Sequence, residues 1–88
     1  MKGYLYILQS NKNGRYYIGS TNNPDRRLEE HNGKLVTATQ YLVPLKMVFY
    51  KEYQELSGAR NIERKLKRQK SRILIEKIIK DQNIFMGQ

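Results

Sequence analysis

Two short tyrosine-bearing runs, Tyr4-Leu5-Tyr6 and Tyr17-Ile18-Gly19, flank the segment Asn11-Lys12-Asn13-Gly14, and this pairing restricts the fold more than any other feature of the chain. Asn-Gly suits the positive φ angles of a type I′ turn, so the segment predicts a β-hairpin. With Asn13 and Gly14 as a two-residue loop, Lys12 faces Arg15, and every cross-strand pair joins an even-numbered residue to an odd-numbered one. Side chains alternate along a strand. Tyr4, Tyr6, Leu8, Tyr17 and Gly19 therefore share one face, while Leu5, Ile7, Tyr16 and Ile18 share the other. Two phenols beside a glycine form a candidate site.

Eighty-eight residues suffice for one domain with a modest core of three or four elements. The chain has no cysteine and one histidine, His31, which excludes a thiolate metal site and a multi-histidine zinc site. A metal would be a hard cation on oxygen ligands. No apolar run resembles a signal core or a membrane span, so the expectation is a soluble, cytoplasmic protein without membrane association. The net charge of +9 favours a polyanion such as nucleic acid. From Arg60 to Arg72 seven basic residues surround a single acid, Glu63. That imbalance exceeds what solubility requires and points to phosphate contacts.

Along the chain, Asn22 or Asn23 can cap a helix that starts at Pro24 and closes at Asn32-Gly33 in a left-handed termination. Only Leu28 anchors this helix firmly, with Arg27 and His31 at the margin of its buried face. Gly33 to Pro44 reads as an exposed, mobile loop able to reach a ligand. Leu45 to Tyr53 reads as a third strand. Ser57 or its neighbour caps a second helix with Ala59, Ile62 and Leu66 as its apolar stripe, and Ser71 precedes a third carrying Ile73, Leu74, Ile78 and Ile79. The expected fold is α/β of the α+β type: a three-stranded antiparallel sheet flanked by three helices, in the order β-β-α-β-α-α. The domain spans residues 1–82. Residues 83–88 form a frayed tail, from which Ile84 and Phe85 could dock back on the core or touch another subunit.

Residues 4–19 resemble the opening of the GIY-YIG nuclease superfamily, whose two tripeptides lie on the first two strands. The second tripeptide matches letter for letter; in the first, Tyr4 and Leu5 replace glycine and isoleucine while Tyr6 keeps the third position. The match continues through Arg26-Arg27-Leu28-Glu29-Glu30-His31-Asn32 and through Ala59 to Lys67, as in small standalone, excinuclease-like members. The resemblance implies catalytic roles for Tyr6, Tyr17, Arg27, His31 and Glu63, a structural role for Gly19, and a divalent metal, Mg²⁺ or Mn²⁺, on Glu63. In that scheme Tyr17 is the general base, Tyr6 is hydrogen-bonded near it, and His31 positions or relays. A free phenol is a weak base at neutral pH, so nearby cations must help it. Two departures stand out. Ser20 occupies a position where several members have lysine, and Asn83 aligns only weakly with a distal asparagine near the metal in some relatives.

The expected activity is metal-dependent endonucleolytic hydrolysis of phosphodiester bonds, in DNA over RNA, with a role in DNA repair or recombination. Arg26, Arg60, Arg64, Lys67 and Lys70 would contact nucleic acid. No recognition domain is appended, so selectivity would come from substrate structure, a protein partner or a homodimer. The competing reading is a non-catalytic nucleic-acid-binding module of the same fold. A membrane-surface protein ranks last, because the apolar residues of the basic helices are needed to cover the sheet.

Overall fold

The computed structural model describes residues 1–84. Strands β1 (Gly3–Ser10) and β2 (Tyr16–Thr21) are followed by helix α1 (Pro24–Asn32), a single 3₁₀ turn at Thr37–Thr39, strand β3 (Leu45–Tyr53), and helices α2 (Leu56–Gln69) and α3 (Arg72–Asp81). The sheet order is β2-β1-β3, antiparallel throughout. Architecture and element order are as the sequence predicts.

The hairpin corrects one expectation. Tyr6 pairs with Gly19 and Leu8 with Tyr17, a register two residues away from that of a two-residue loop. Asn11 to Gly14 form a four-residue loop, closed by Ser10 N–H to the Arg15 carbonyl at 2.8 Å and Gly14 N–H to the Ser10 carbonyl at 2.9 Å. Ser10 Oγ accepts the amides of Lys12 and Asn13, and Gly14 takes the positive φ of 77°. Satisfying two loop amides at a buried serine favours the longer loop. A shift of two residues preserves face, so Tyr6, Tyr17 and Gly19 still lie together.

β3 carries a bulge: Ile7 pairs with Phe49 but Leu8 with Met47, leaving Val48 as the extra residue. The side chains of β3 therefore change face at that point. Phe49 and Tyr53 join Leu5, Ile7, Ala59, Ile62 and Leu66 in the main core under α2 and α3, whereas Leu45 and Met47 join Tyr6 and Leu8 in a second core. Leu28 of α1 and Leu42 and Val43 of the following loop cover that second core.

Helix ends refine the sequence reading. Asn23 caps α1 by accepting the Arg26 amide at 3.1 Å, and Pro24 opens the helix. Gly33 has φ of −80°, and the left-handed residue is Lys34, with φ of 62°. The residue capping α2 is Glu55, not Ser57, and its side chain accepts no capping hydrogen bond; its carboxylate instead pairs with the N-terminal ammonium at 2.7 Å. On α3 the buried positions are Ile75 and Ile78, while Ile73 is 80% exposed. The corner at Lys70 and Ser71 rotates the helix so that Ile75, not Ile73, faces the sheet. Ile84 is buried in the main core. Phe85 and the rest of the expected tail lie outside the described residues.

The segment between α1 and β3 is largely exposed, as expected, but it is pinned at Thr39, Leu42 and Leu45. Thr39 is fully buried, Asn32 brackets Leu45 with hydrogen bonds to its amide (2.8 Å) and carbonyl (3.0 Å), and Ser10 Oγ donates to the Leu42 carbonyl at 2.6 Å.

Gly19 is fixed by sterics. A Cβ there would land on the Tyr6 ring, 2.5 Å from Cζ, in a buried layer where that ring cannot swing away. Gly19→Ala should cost about 1–3 kcal/mol, the usual range for overpacking, read as a lower urea midpoint with an unchanged m-value.

Candidate active site

The site grows from the pairing of Tyr6 with Gly19. The missing side chain at Gly19 lets the Tyr6 ring lie flat across β2, and its hydroxyl then meets His31 Nε2 of α1 at 2.9 Å. The other ring nitrogen, Nδ1, meets Thr39 Oγ1 at 2.7 Å. Thr39 Oγ1 in turn lies 3.4 Å from the Val36 carbonyl, which can only accept. One direction satisfies every atom: Tyr6 O–H donates to Nε2, His31 Nδ1–H donates to Thr39, and Thr39 donates to Val36. The tautomer is assigned from these partners.

Tyr6, His31 and Thr39 are 1%, 0% and 0% exposed. Burial pushes the Tyr6 phenol up to about 12, against the pull of the neighbouring Arg27 guanidinium. Burial, reinforced by the Arg27 charge, pushes His31 down to about 4. At neutral pH the phenol is therefore protonated and the imidazole neutral. His31, expected at the margin of the buried face, is at its centre. Tyr6 bonds to His31, and the link to Tyr17 is the His31 ring, which stands edge-on to both phenols with centroids 5.8 and 5.1 Å away.

Glu63 approaches from the opposite face of the sheet. Because β2 is an edge strand, α2 can reach around it, and Ser20 Oγ donates to Glu63 Oε1 at 2.5 Å. Lys67, one turn on, holds Oε2 at 2.6 Å and lies 5.5 Å above the Tyr17 ring. The Glu63 carboxylate is 20% exposed, at the border of solvent as the helical spacing predicts. Arg27 is half-buried on α1 and pairs with Glu30 at 3.1 Å; the adjoining Tyr6 hydroxyl, then Glu30, hold its guanidinium above the ordinary value.

Among the described residues no three His, Asp or Glu side chains converge as a metal cage. A single carboxylate with a neighbouring hydroxyl is a hard-oxygen donor set, which fits Mg²⁺ or Mn²⁺ retaining most of its waters. Asn83 is elsewhere: its Oδ1 takes the Lys51 ammonium at 3.4 Å on β3, two strands from Ser20.

The basic residues separate into groups. Arg26 and Arg60 line a cleft of about 310 Å³ beside Ser20 and Arg27. Lys67 and Lys70 line another, of about 320 Å³, at the opposite end of β2. Arg64 bonds to Asn61 and lines a third cleft on the outer side of α2, with Arg68. Sequence reasoning missed Thr39 and the Ser20–Glu63 bond. The only signal for Thr39 was a threonine eight residues after a histidine, across a stretch without periodicity.

The model of the GIY-YIG catalytic domain matches residues 2–82. This chain belongs to that family. It is 37% identical over 70 residues to a UPF0213 protein of Streptococcus pneumoniae, covering 78% of this chain and 70% of the relative. A 37-residue stretch, 41% of this chain and 12% of the relative, is 57% identical to the structure-specific endonuclease subunit SLX1 of the yeast Vanderwaltozyma polyspora. The fold is similar to the solution NMR structure of a UPF0213 protein from Bacillus halodurans, with a TM-score of 0.60 and 28% identity over 94% of this chain and 87% of that one. Among the described residues no helix is long and apolar enough to cross a membrane.

The buried chain generates two predictions. Thr39→Val keeps the shape but strands His31 Nδ1, at a cost of about 1–3 kcal/mol in chemical denaturation. The unfolded chain takes up a proton at His31 near pH 6.5 but the folded one only near 4, so stability falls as pH drops through that window and levels off below it. The expected loss between pH 7 and 5 is about 2 kcal/mol from this group, and the difference disappears in His31→Gln measured alongside.

Proposed function

We propose that this protein is a divalent-metal-dependent endonuclease that hydrolyses phosphodiester bonds in DNA. The carrying observation is the convergence on the β2 edge of an oriented carboxylate, Glu63, with Tyr17, Arg27 and the buried Tyr6–His31–Thr39 chain. Mg²⁺ or Mn²⁺ held by Glu63 would polarise a phosphoryl oxygen and stabilise the leaving 3′ oxygen. Arg27 binds the equatorial phosphate oxygens as charge builds on them. Tyr17 takes the proton of the attacking water. The new P–O bond forms to that water as the bond to the 3′ oxygen breaks.

Tyr6 and His31 act as positioning groups in this scheme. A protonated phenol and a neutral imidazole, each locked at both ends, hold the second phenol in place through ring packing. Lys67 stands in for the lysine that Ser20 replaces, because its ammonium lies over the Tyr17 ring while gripping Glu63. Selectivity for a branched or otherwise structured substrate, directed by a protein partner or by a second copy, is in keeping with the name of the yeast relative, a structure-specific endonuclease subunit.

Cutting and binding should separate in Glu63→Gln. Cleavage in Mg²⁺ is expected to be lost, while DNA affinity in EDTA stays equal or tightens slightly as the net charge rises from +9 to +10. Parental cleavage by this variant would remove the metal site from the scheme. A parent that binds DNA yet cuts no member of a panel of structured substrates would make the protein a binding module. Tyr17→Phe is expected to cut at least about 10²-fold more slowly at little cost in stability, because its ring packing is kept.

A further inference from the structure

We propose that the cleft between the β1–β2 hairpin and the α2–α3 corner is a second phosphate-binding site, which holds the nucleic-acid backbone at a distance from the bond that is broken. This rests on the nuclease reading for the position of that bond, but not for the binding itself. The cleft measures about 320 Å³ and is lined by Arg15, Tyr16, Lys67, Lys70 and Arg72, with no acidic residue in its wall. Lys67 and Arg72 are paired with Glu63 and Glu76, which lie outside the wall, and Arg15 and Lys70 add positive charge that a polyanion would balance.

Three features make the cleft a built one. Arg72 stacks on the half-buried Tyr16 ring at 4.8 Å and is held there by Glu76 at 3.2 Å, so one wall is a fixed cation on an aromatic plate. Lys70 adopts the left-handed conformation that ends α2, which turns the chain sharply into α3 at the mouth of the cleft. Among the described residues neither Arg15 nor Lys70 has a side-chain hydrogen bond or ion pair, so both charges are available to a ligand.

Position specifies the ligand as a strand. Lys67 belongs both to this cleft and to the Glu63 site, so the two are continuous. Tyr16 lies four residues from Ser20 along β2, about 13 Å at strand rise, too far for one phosphate group to occupy both places. A second basic cleft, with Arg26 and Arg60, flanks Ser20 on the other side. A backbone running along the β2 edge meets cations before, at and beyond the reaction centre.

The test is the salt dependence of binding to a labelled DNA duplex in EDTA, with cleavage in Mg²⁺ measured separately. Arg15→Ala with Lys70→Ala should make the log–log slope shallower by about 1.8, or 0.9 for each phosphate that is no longer neutralised. Lys46→Ala with Lys80→Ala, which removes the same charge from exposed positions on β3 and the far end of α3, should leave the slope nearly unchanged. Thermal melts establish that both variants are folded. An unchanged slope in the first variant, or an equal fall in the second, overturns the cleft as a binding site even where the parent cuts DNA. A shallower slope confined to the first variant upholds the cleft even where the parent cuts nothing, an outcome that removes the nuclease reading alone. A parent that binds no nucleic acid overturns both.

Discussion

The hydroxyl of Tyr6 is the point on which the rest of the site depends. Its ring can lie across β2 only because Gly19 has no side chain, and its proton then reaches an imidazole that water cannot. Through that imidazole one hydrogen-bonded run joins the central strand, helix α1 and the loop before β3. Each polar atom in the run would be costly to bury alone, so the three elements hold one another in a single arrangement. A half-satisfied network would not have that property.

The edge position of β2 has an equal part in function. A central strand would separate the groups on its two faces, whereas an edge strand leaves a rim around which they can meet. Tyr17 and Gly19 lie on the α1 face and Ser20 on the α2 face, and Glu63 and Lys67 reach the rim from α2. Basic residues line a cleft at each end of this rim. Charge of the kind that deters strand pairing at an exposed edge here also suits a phosphate backbone.

Several elements of the fold were legible because local chemistry and tertiary packing agree. Asn23 and Pro24 supply a cap and a preformed first helical residue from local chemistry, and Leu45 to Tyr53 is rich in strand-forming residues. The hairpin was legible in parity but not in register. Asn13-Gly14 signals a turn, yet the choice of a four-residue loop depends on Ser10, whose hydroxyl is buried only once Leu42 has folded over it. The bulge at Val48 left no mark in the alternation of β3, since Leu45, Met47, Phe49 and Tyr53 are all apolar enough for either face.

The sequence by itself determined the element order, the shared face of Tyr6, Tyr17 and Gly19, the basic character of residues 60–72, and membership of a nuclease family. These follow from period, propensity and motif, which are properties of neighbours along the chain. Tertiary structure alone decided that His31 is buried and neutral, that Thr39 completes its hydrogen bonds, that Ser20 and Lys67 orient Glu63, and that Asn83 sits two strands away. It also sorted one run of cations into separate clefts. The reason is physical. Burial, hydrogen-bond partnership and the field of a distant charge depend on separations through space: His31 and Thr39 lie 8 residues apart in the chain, and Ser20 and Glu63 lie 43 apart.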